Sequence, residues 1–380
     1  MNLALSDEQE FLREAARGAL SRFKTLEAAR EALDGDGELP DLWPTACEAG
    51  WPGLLIDEAH GGAGLDAFDA MLVMGECGRV LAGVPLLGHL PATAILAGAP
   101  RVAGHLPALA SGERRAAYLP SQPPTDVDPH WTADPASGME RAPLPNGSEP
   151  NANAEVKLSG RYGFVPDAPG ADALIGVALI DGEPAGVAIM ADAEGVQVEP
   201  VRRYDATRSL AHVTLTEATA TVLDAPEEVL AGAWHLAQTL IAAESLGSVE
   251  TALDMSVAYA KERHTFGRAI GSYQAVKHSL TEVLRQLENG RSLLYYAGWS
   301  RNGAPREFPL AANAARSVAG RALDHGARTM ISVHGGIGAT WEHDAPLYFR
   351  RAQLSRRLLG GTGAASDRVA GELIAQADAA

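Results

Sequence analysis

Between Val156 and Leu223 the sequence changes period. The phrases KLSGRYGFVPDAPGADALIGVALI, AGVAIMADA, VQVEPVRR and AHVTLTEATATVL are β-branched runs cut by Gly, Pro or Asp, the pattern of short strands. On both sides apolar residues recur at helical spacing instead. Helices, then strands, then helices limit the chain to an α+β fold in three segments. These are an N-terminal α-helical domain over 1–117, a central β domain over 118–225 and a C-terminal helical bundle domain over 226–380.

Local signals refine this outline. Ser6 followed by Gln9 is a capping-box pattern ahead of Phe11, Leu12, Ala15, Ala16 and Leu20. Gly61, Gly62 and Gly64 mark a turn between helical stretches, and about five helices fit into residues 1–115. Residues 120–150 carry Pro120, Pro123, Pro124, Pro129, Pro135, Pro143, Pro145 and Pro150, which predicts a long irregular segment. Helix resumes after Pro226, breaks around FGRAIGSY and continues nearly to the end.

The formal charge of −17 makes a nucleic-acid protein unfavourable, because phosphate binding needs clustered positive charge. It leaves room for a local basic pocket. Two cysteines, Cys47 and Cys77, exclude a disulfide framework and a Cys-rich zinc site. No signal peptide and no long apolar span is expected, so the expected location is the cytoplasm. The histidines form no convincing metal set; His334 is expected to orient backbone and His343 to cap locally with Asp344. Trp341 reads as core or lid.

Three motifs can carry chemistry. In YAKERHTFGRAIGSYQAVKH, Arg263 ends a long helix, Phe266-Gly267 breaks it and Gln274 opens the next. A cation and an exposed aromatic at such a corner suit a phosphate and a flat ring; an ordinary capped helix end is the plainer reading. In ISVHGGIGATWEHD, Gly335, Gly336 and Gly338 allow close backbone approach, but the loop follows a helix and is no dinucleotide fingerprint. In RRLLGGTGAASDRVAGEL, Thr362 precedes a short helix whose N-terminus suits an anion or a simple N-cap.

In this order, and together with SDEQEFLRE, HGGAGLD, LSGRYGFVPDAPGADALI, DATRSLAHVTL and HGGIGATWEHDAPLYFRRA, these motifs resemble the acyl-CoA dehydrogenases over nearly the whole chain. The resemblance implies a helical domain, a β domain and a C-terminal four-helix bundle. It also implies FAD-dependent desaturation of an acyl-CoA thioester between its α and β carbons. It places Arg263, Phe266 and Gln274 on an FAD bound mainly by a neighbouring subunit, Gly335 and Gly336 near the adenosine, and Thr362 on the flavin side. Oligomerisation and an electron-transfer acceptor follow from it.

The chain departs from the family pattern at three places. The usual catalytic glutamate, two residues before the terminal Thr, is replaced by Gly360. Ser332 replaces a Gln before the HGG loop, and the flavin-facing loop is replaced by YLPSQPPTDVDPHWTADPASG. Glu244, among Ile241, Ala242, Ala243 and Leu246, is the substitute base; desolvation makes a carboxylate a better proton acceptor. Its alternative is a structural glutamate paired with an arginine. The departures resemble the branch that works as mixed α2β2 complexes on bulky, sterol-like acyl groups, with Gly360 leaving room for a wide substrate. The rival readings are a non-catalytic subunit that completes a partner's FAD site, or an acyl-CoA oxidase or flavin monooxygenase on the same fold.

Overall fold

The computed structural model describes residues 4–34, 39–125, 128–133, 142–148, 154–202 and 204–378. The N-terminal segment contains α1 (Asp7–Leu20), α2 (Thr25–Asp34), α3 (Trp43–Glu48), α4 (Ala67–Arg79), α5 (Leu86–Ala97) and α6 (Leu106–Ala110). The capping box at α1 forms in full: Ser6 accepts from the Gln9 amide, and the Gln9 side chain accepts from the Ser6 amide. Asp66 and Asp69 build the equivalent box at α4.

The strands are β1 (Ala116–Tyr118), β2 (Ser121–Gln122), β3 (Thr132–Ala133), β4 (Ala142–Pro143), β5 (Asn146–Gly147), β6 (Glu155–Pro166), β7 (Ala173–Ile180), β8 (Glu183–Met190), β9 (Val196–Pro200) and β10 (Leu210–Leu223). The main sheet runs β1-β7-β5-β6-β10-β8, with β9 on β10, and it closes because β8 also pairs with β7. Asp181 and Gly182, at φ 51° and 90°, make the tight turn that fixes the β7–β8 register. β1 begins at Ala116, so the sheet starts slightly ahead of the expected boundary at 117/118. The proline-rich segment is less irregular than expected, since β2, β3 and β4 form a small sheet of their own; its residues 126, 127, 134–141, 149 and 150 lie outside the described ones.

The last segment holds α7 (Glu227–Glu262), the hairpin β11 (His264–Thr265) and β12 (Arg268–Ala269), α8 (Gln274–Gly303), α9 (Phe308–His334), α10 (Ala345–Ser355) and α11 (Gly361–Asp378). The helix α9 packs against α7, α8, α10 and α11, and α7 packs against α4 and α5 of the first segment. α7 is therefore apolar nearly all round, being buried from Ala233 to Val249 without a break. Among the described residues no helix is long and apolar enough to cross a membrane.

The α4–α7 crossing is set by glycines. A Cβ on Gly78 would collide with the Glu244 carbonyl, and one on Gly247 with the Gly75 carbonyl. Helix propensity alone favours Ala over Gly, yet Gly247→Ala should destabilise the protein by about 1–3 kcal/mol, because two backbones must separate. A thermal midpoint unchanged or raised in the alanine variant would contradict this packing.

Candidate functional site

A buried polar assembly surrounds Glu244. Arg351 of α10, 1% exposed, places Nε 2.7 Å from Asp205 Oδ2 and Nη1 2.5 Å from Glu244 Oε1. Its Nη2 donates to the Thr207 carbonyl at 2.9 Å and to the Thr207 hydroxyl. Arg208 Nη2 pairs with the other Glu244 oxygen. Two guanidinium groups and two carboxylates thus close a neutral set between α7, α10 and the loop before β10. Burial pushes the Asp205 carboxyl up, but Arg351 and Thr207 outweigh it and hold it below the usual carboxylate range. Burial likewise works against the Arg351 charge, and Asp205 and Glu244 overcome that and raise its pKa.

This placement differs from the open position that the base role expected for Glu244 requires. A base for an α proton needs an oxygen open to substrate, and both Glu244 oxygens are engaged by arginines in a residue 4% exposed. The geometry matches the alternative, a structural glutamate. Arg351, Arg208 and Asp205 escaped the sequence reading, because nothing in DATRSL or FRRAQ distinguishes a buried arginine from a surface one.

In the terminal glycine turn, Leu359, Gly360 and Gly361 are all left-handed, at φ 51°, 75° and 73°. A Cβ on Gly360 would lie 3.4 Å from the Trp234 ring and from Ala364, and 3.5 Å from Gln122 Oε1. A side chain's first atom would thus meet ordinary van der Waals contacts there, and the strain would lie in the backbone. Gln238 Nε2 donates to the Leu359 carbonyl at 3.0 Å and pins the turn to α7. Thr362 packs on α9, where a Cβ on Gly320 would collide with its methyl group.

The other motif residues gather at the far end of the bundle. Phe266, 98% exposed, sits at the tip of the β11–β12 hairpin with φ 50°, followed by Gly267 at φ 79°. Arg263 and Gln274 flank it, are exposed, and have no side-chain partner among the described residues. Tyr259 of α7 meets His334 at 4.5 Å between ring centroids, and His334 meets His343 at 4.2 Å, which brings the Gly335–Gly336 turn to the same end. His334 Nδ1 lies 2.7 Å from the Met330 carbonyl, and His343 Nδ1 accepts from the Ala345 amide at 3.0 Å. Asp344 pairs with Arg30 of α2. Thr362 is not part of this cluster, since Gly320 and Gly335 are about 20 Å apart along α9. Trp341 is half exposed, and the Arg350 guanidinium lies between its ring and that of Tyr204, at 4.2 and 3.9 Å.

An exposed arginine, an exposed glutamine, an exposed ring and open glycine backbone suit an anionic dinucleotide that reaches in from another chain. Among the described residues no group of three or more His, Cys, Asp or Glu side chains is placed to hold a metal ion.

Comparison with known proteins agrees with this arrangement. Residues 6–121 match the N-terminal domain of acyl-CoA dehydrogenase, and residues 228–374 match its C-terminal domain. Acyl-CoA dehydrogenase IpdE2 of Mycolicibacterium smegmatis is 31% identical over 94% of this chain and 96% of its own. Acyl-CoA dehydrogenase FadE34 of Mycobacterium tuberculosis is 32% identical over 96% of this chain, which spans only 47% of that protein. Among solved structures, the Tcur3481-Tcur3483 steroid ACAD G363A variant superposes with TM-score 0.85 at 28% identity, covering 98% of this chain and 99% of the other. The ChsE4-ChsE5 complex from Mycobacterium tuberculosis gives TM-score 0.85 at 25% identity with the same coverage. The chain belongs to the acyl-CoA dehydrogenase family, FAD-dependent oxidoreductases that act on CH–CH groups.

Two measurements probe the buried site. Glu244→Gln leaves two arginines facing one carboxylate, so it should cost about 3–5 kcal/mol of stability, read as a large fall in thermal midpoint. Asp167 accepts from the Gly88 amide at 2.8 Å, and burial pushes its carboxyl up to about 6. A folded pKa above the unfolded value means stability is lost as pH rises through that window. Asp167→Asn removes the loss: it should flatten stability between about pH 4 and 6 and exceed the parent at pH 8. Parallel pH profiles for the two proteins would refute the assignment.

Proposed function

We propose that this chain takes part in FAD-dependent α,β-desaturation of an acyl-CoA thioester as one subunit of a mixed assembly, and that a related partner chain supplies the catalytic base. The observation that carries this reading is the missing base. The family position is Gly360, packed by Trp234 and Gln122, and Glu244 is held by Arg208 and Arg351. FAD, when bound, accepts the hydride from the β carbon. Arg263 and Gln274 would hold its phosphates and Phe266 would cover its rim; Gly335 and Gly336 would meet its adenosine, and Thr362 would stay on the flavin side of the bundle. A bulky, sterol-derived acyl group is the proposed substrate, supported by the steroid and two-component names of the similar structures. The work is placed in the cytoplasm, with an electron-transfer protein as acceptor.

The chain should be purified alone and after co-expression with a related chain that carries a glutamate at the position of Gly360. Flavin absorbance only in the co-expressed complex, bleached by acyl-CoA, is the expected result. A yellow protein obtained from this chain alone and bleached by acyl-CoA would replace the proposal with a self-sufficient enzyme. Within the complex, Arg263→Ala removes a charge-assisted contact worth about 1.5–3 kcal/mol. Flavin should therefore be lost on dialysis while helical content is kept.

A further inference from the structure

In a chain of net charge −17, a concavity on the bundle is lined mainly by cationic side chains. A cleft of about 200 Å³ lies between α9, the end of α10 and the start of α11, and Arg321, Arg328, Arg356, His325 and Thr362 face it together with a single carboxylate, Asp324. Arg328 Nε sits 3.1 Å from both Asp324 oxygens, Gln353 donates to one of them at 2.6 Å, and Arg356 Nη1 stands 3.7 Å away. Burial pushes the Asp324 carboxyl up, but these partners outweigh it and hold the carboxyl below its usual range, so Asp324 stays ionised. Three guanidinium groups against one carboxylate leave two positive charges uncompensated. Arg321 is exposed and has no partner among the described residues. His325 Nε2 is buried and has no hydrogen-bond partner among the described residues. The neighbouring Glu282 is already held by Arg285 at 2.6 Å and Gln286 at 2.8 Å.

Two further features favour an anion at this place. The eighteen-residue helix α11 opens at the cleft, and its N-terminal end adds a partial positive charge. Gly320 has no side chain, and that seats Thr362 against α9 at the cleft wall, beside Arg316. The planar forks of several arginines match tetrahedral oxyanions better than they match a lone halide.

We infer that the α9–α10–α11 cleft is a binding site for a phosphate-bearing ligand, with Arg321 and Arg356 as its principal contacts. None of the motifs at the hairpin corner contributes to it, and it stands whether or not the chain works with a partner.

The test uses the full chain, with inorganic phosphate, ADP and coenzyme A as probes, calorimetry for affinity and thermal melts at matched ionic strength in chloride. Saturable phosphate binding is expected, weakened about tenfold or more by Arg321→Ala and by Arg356→Ala, while both variants melt normally in chloride. Tighter binding of ADP than of phosphate, lost in the same variants, would identify a nucleotide diphosphate as the source; tighter binding of coenzyme A would identify the thioester carrier. Absence of saturable binding by all three probes overturns the inference. So does binding that Arg321→Ala leaves unchanged, because that side chain makes no internal contact whose loss could disturb the fold.

Discussion

Arg351 holds three parts of the molecule to one point. Its guanidinium reaches Asp205 and Thr207 at the edge of the β domain and Glu244 on α7, and α10 carries it there from the bundle. At Glu244, α7 also touches α4 backbone to backbone, because Gly78 presents no side chain. A buried ionic set of this kind adds little over apolar packing of the same volume, but removing any member leaves a charge without its partner. It therefore acts on arrangement: the N-terminal helices, the barrel-like sheet and the bundle have one mutual position in which all four charges are satisfied. Any surface built jointly by those segments inherits that position.

Local and long-range features were unequally legible in the sequence. The Ser6–Gln9 box and the helix break before Phe266 depend on neighbours within a few residues, and each forms as its sequence implies. The order of helices and strands followed from period alone. The charge network did not, because Asp205 and Arg351 are 146 positions apart and no spacing relates them. Glu244 shows the difficulty most clearly: apolar neighbours on its own helix suit a desolvated base, while the residues that decide its role lie on two other elements. Trp341, read as core or lid, lies half exposed against the Arg350 guanidinium, a neighbour that its local sequence does not reveal.

The molecule thus separates its resources. Its interior charges are spent on holding segments together, and the terminal turn at Gly360 lies against an indole and an amide. The groups left exposed and unengaged, Arg263, Phe266 and Gln274, stand together at one end of the bundle. That end offers an open surface, whereas the interior charges are paired with one another.

The three consecutive left-handed residues at 359–361 limit what the turn can accept at its centre. A glutamate at position 360 would have to hold φ near 75°, a conformation that costs an ordinary residue roughly 1–2 kcal/mol. Its first side-chain atom would stand in ordinary van der Waals contact with Trp234, Ala364 and Gln122. The obstacle to any side chain at this place is therefore the backbone itself and not the neighbours, and it weighs on every residue type except glycine.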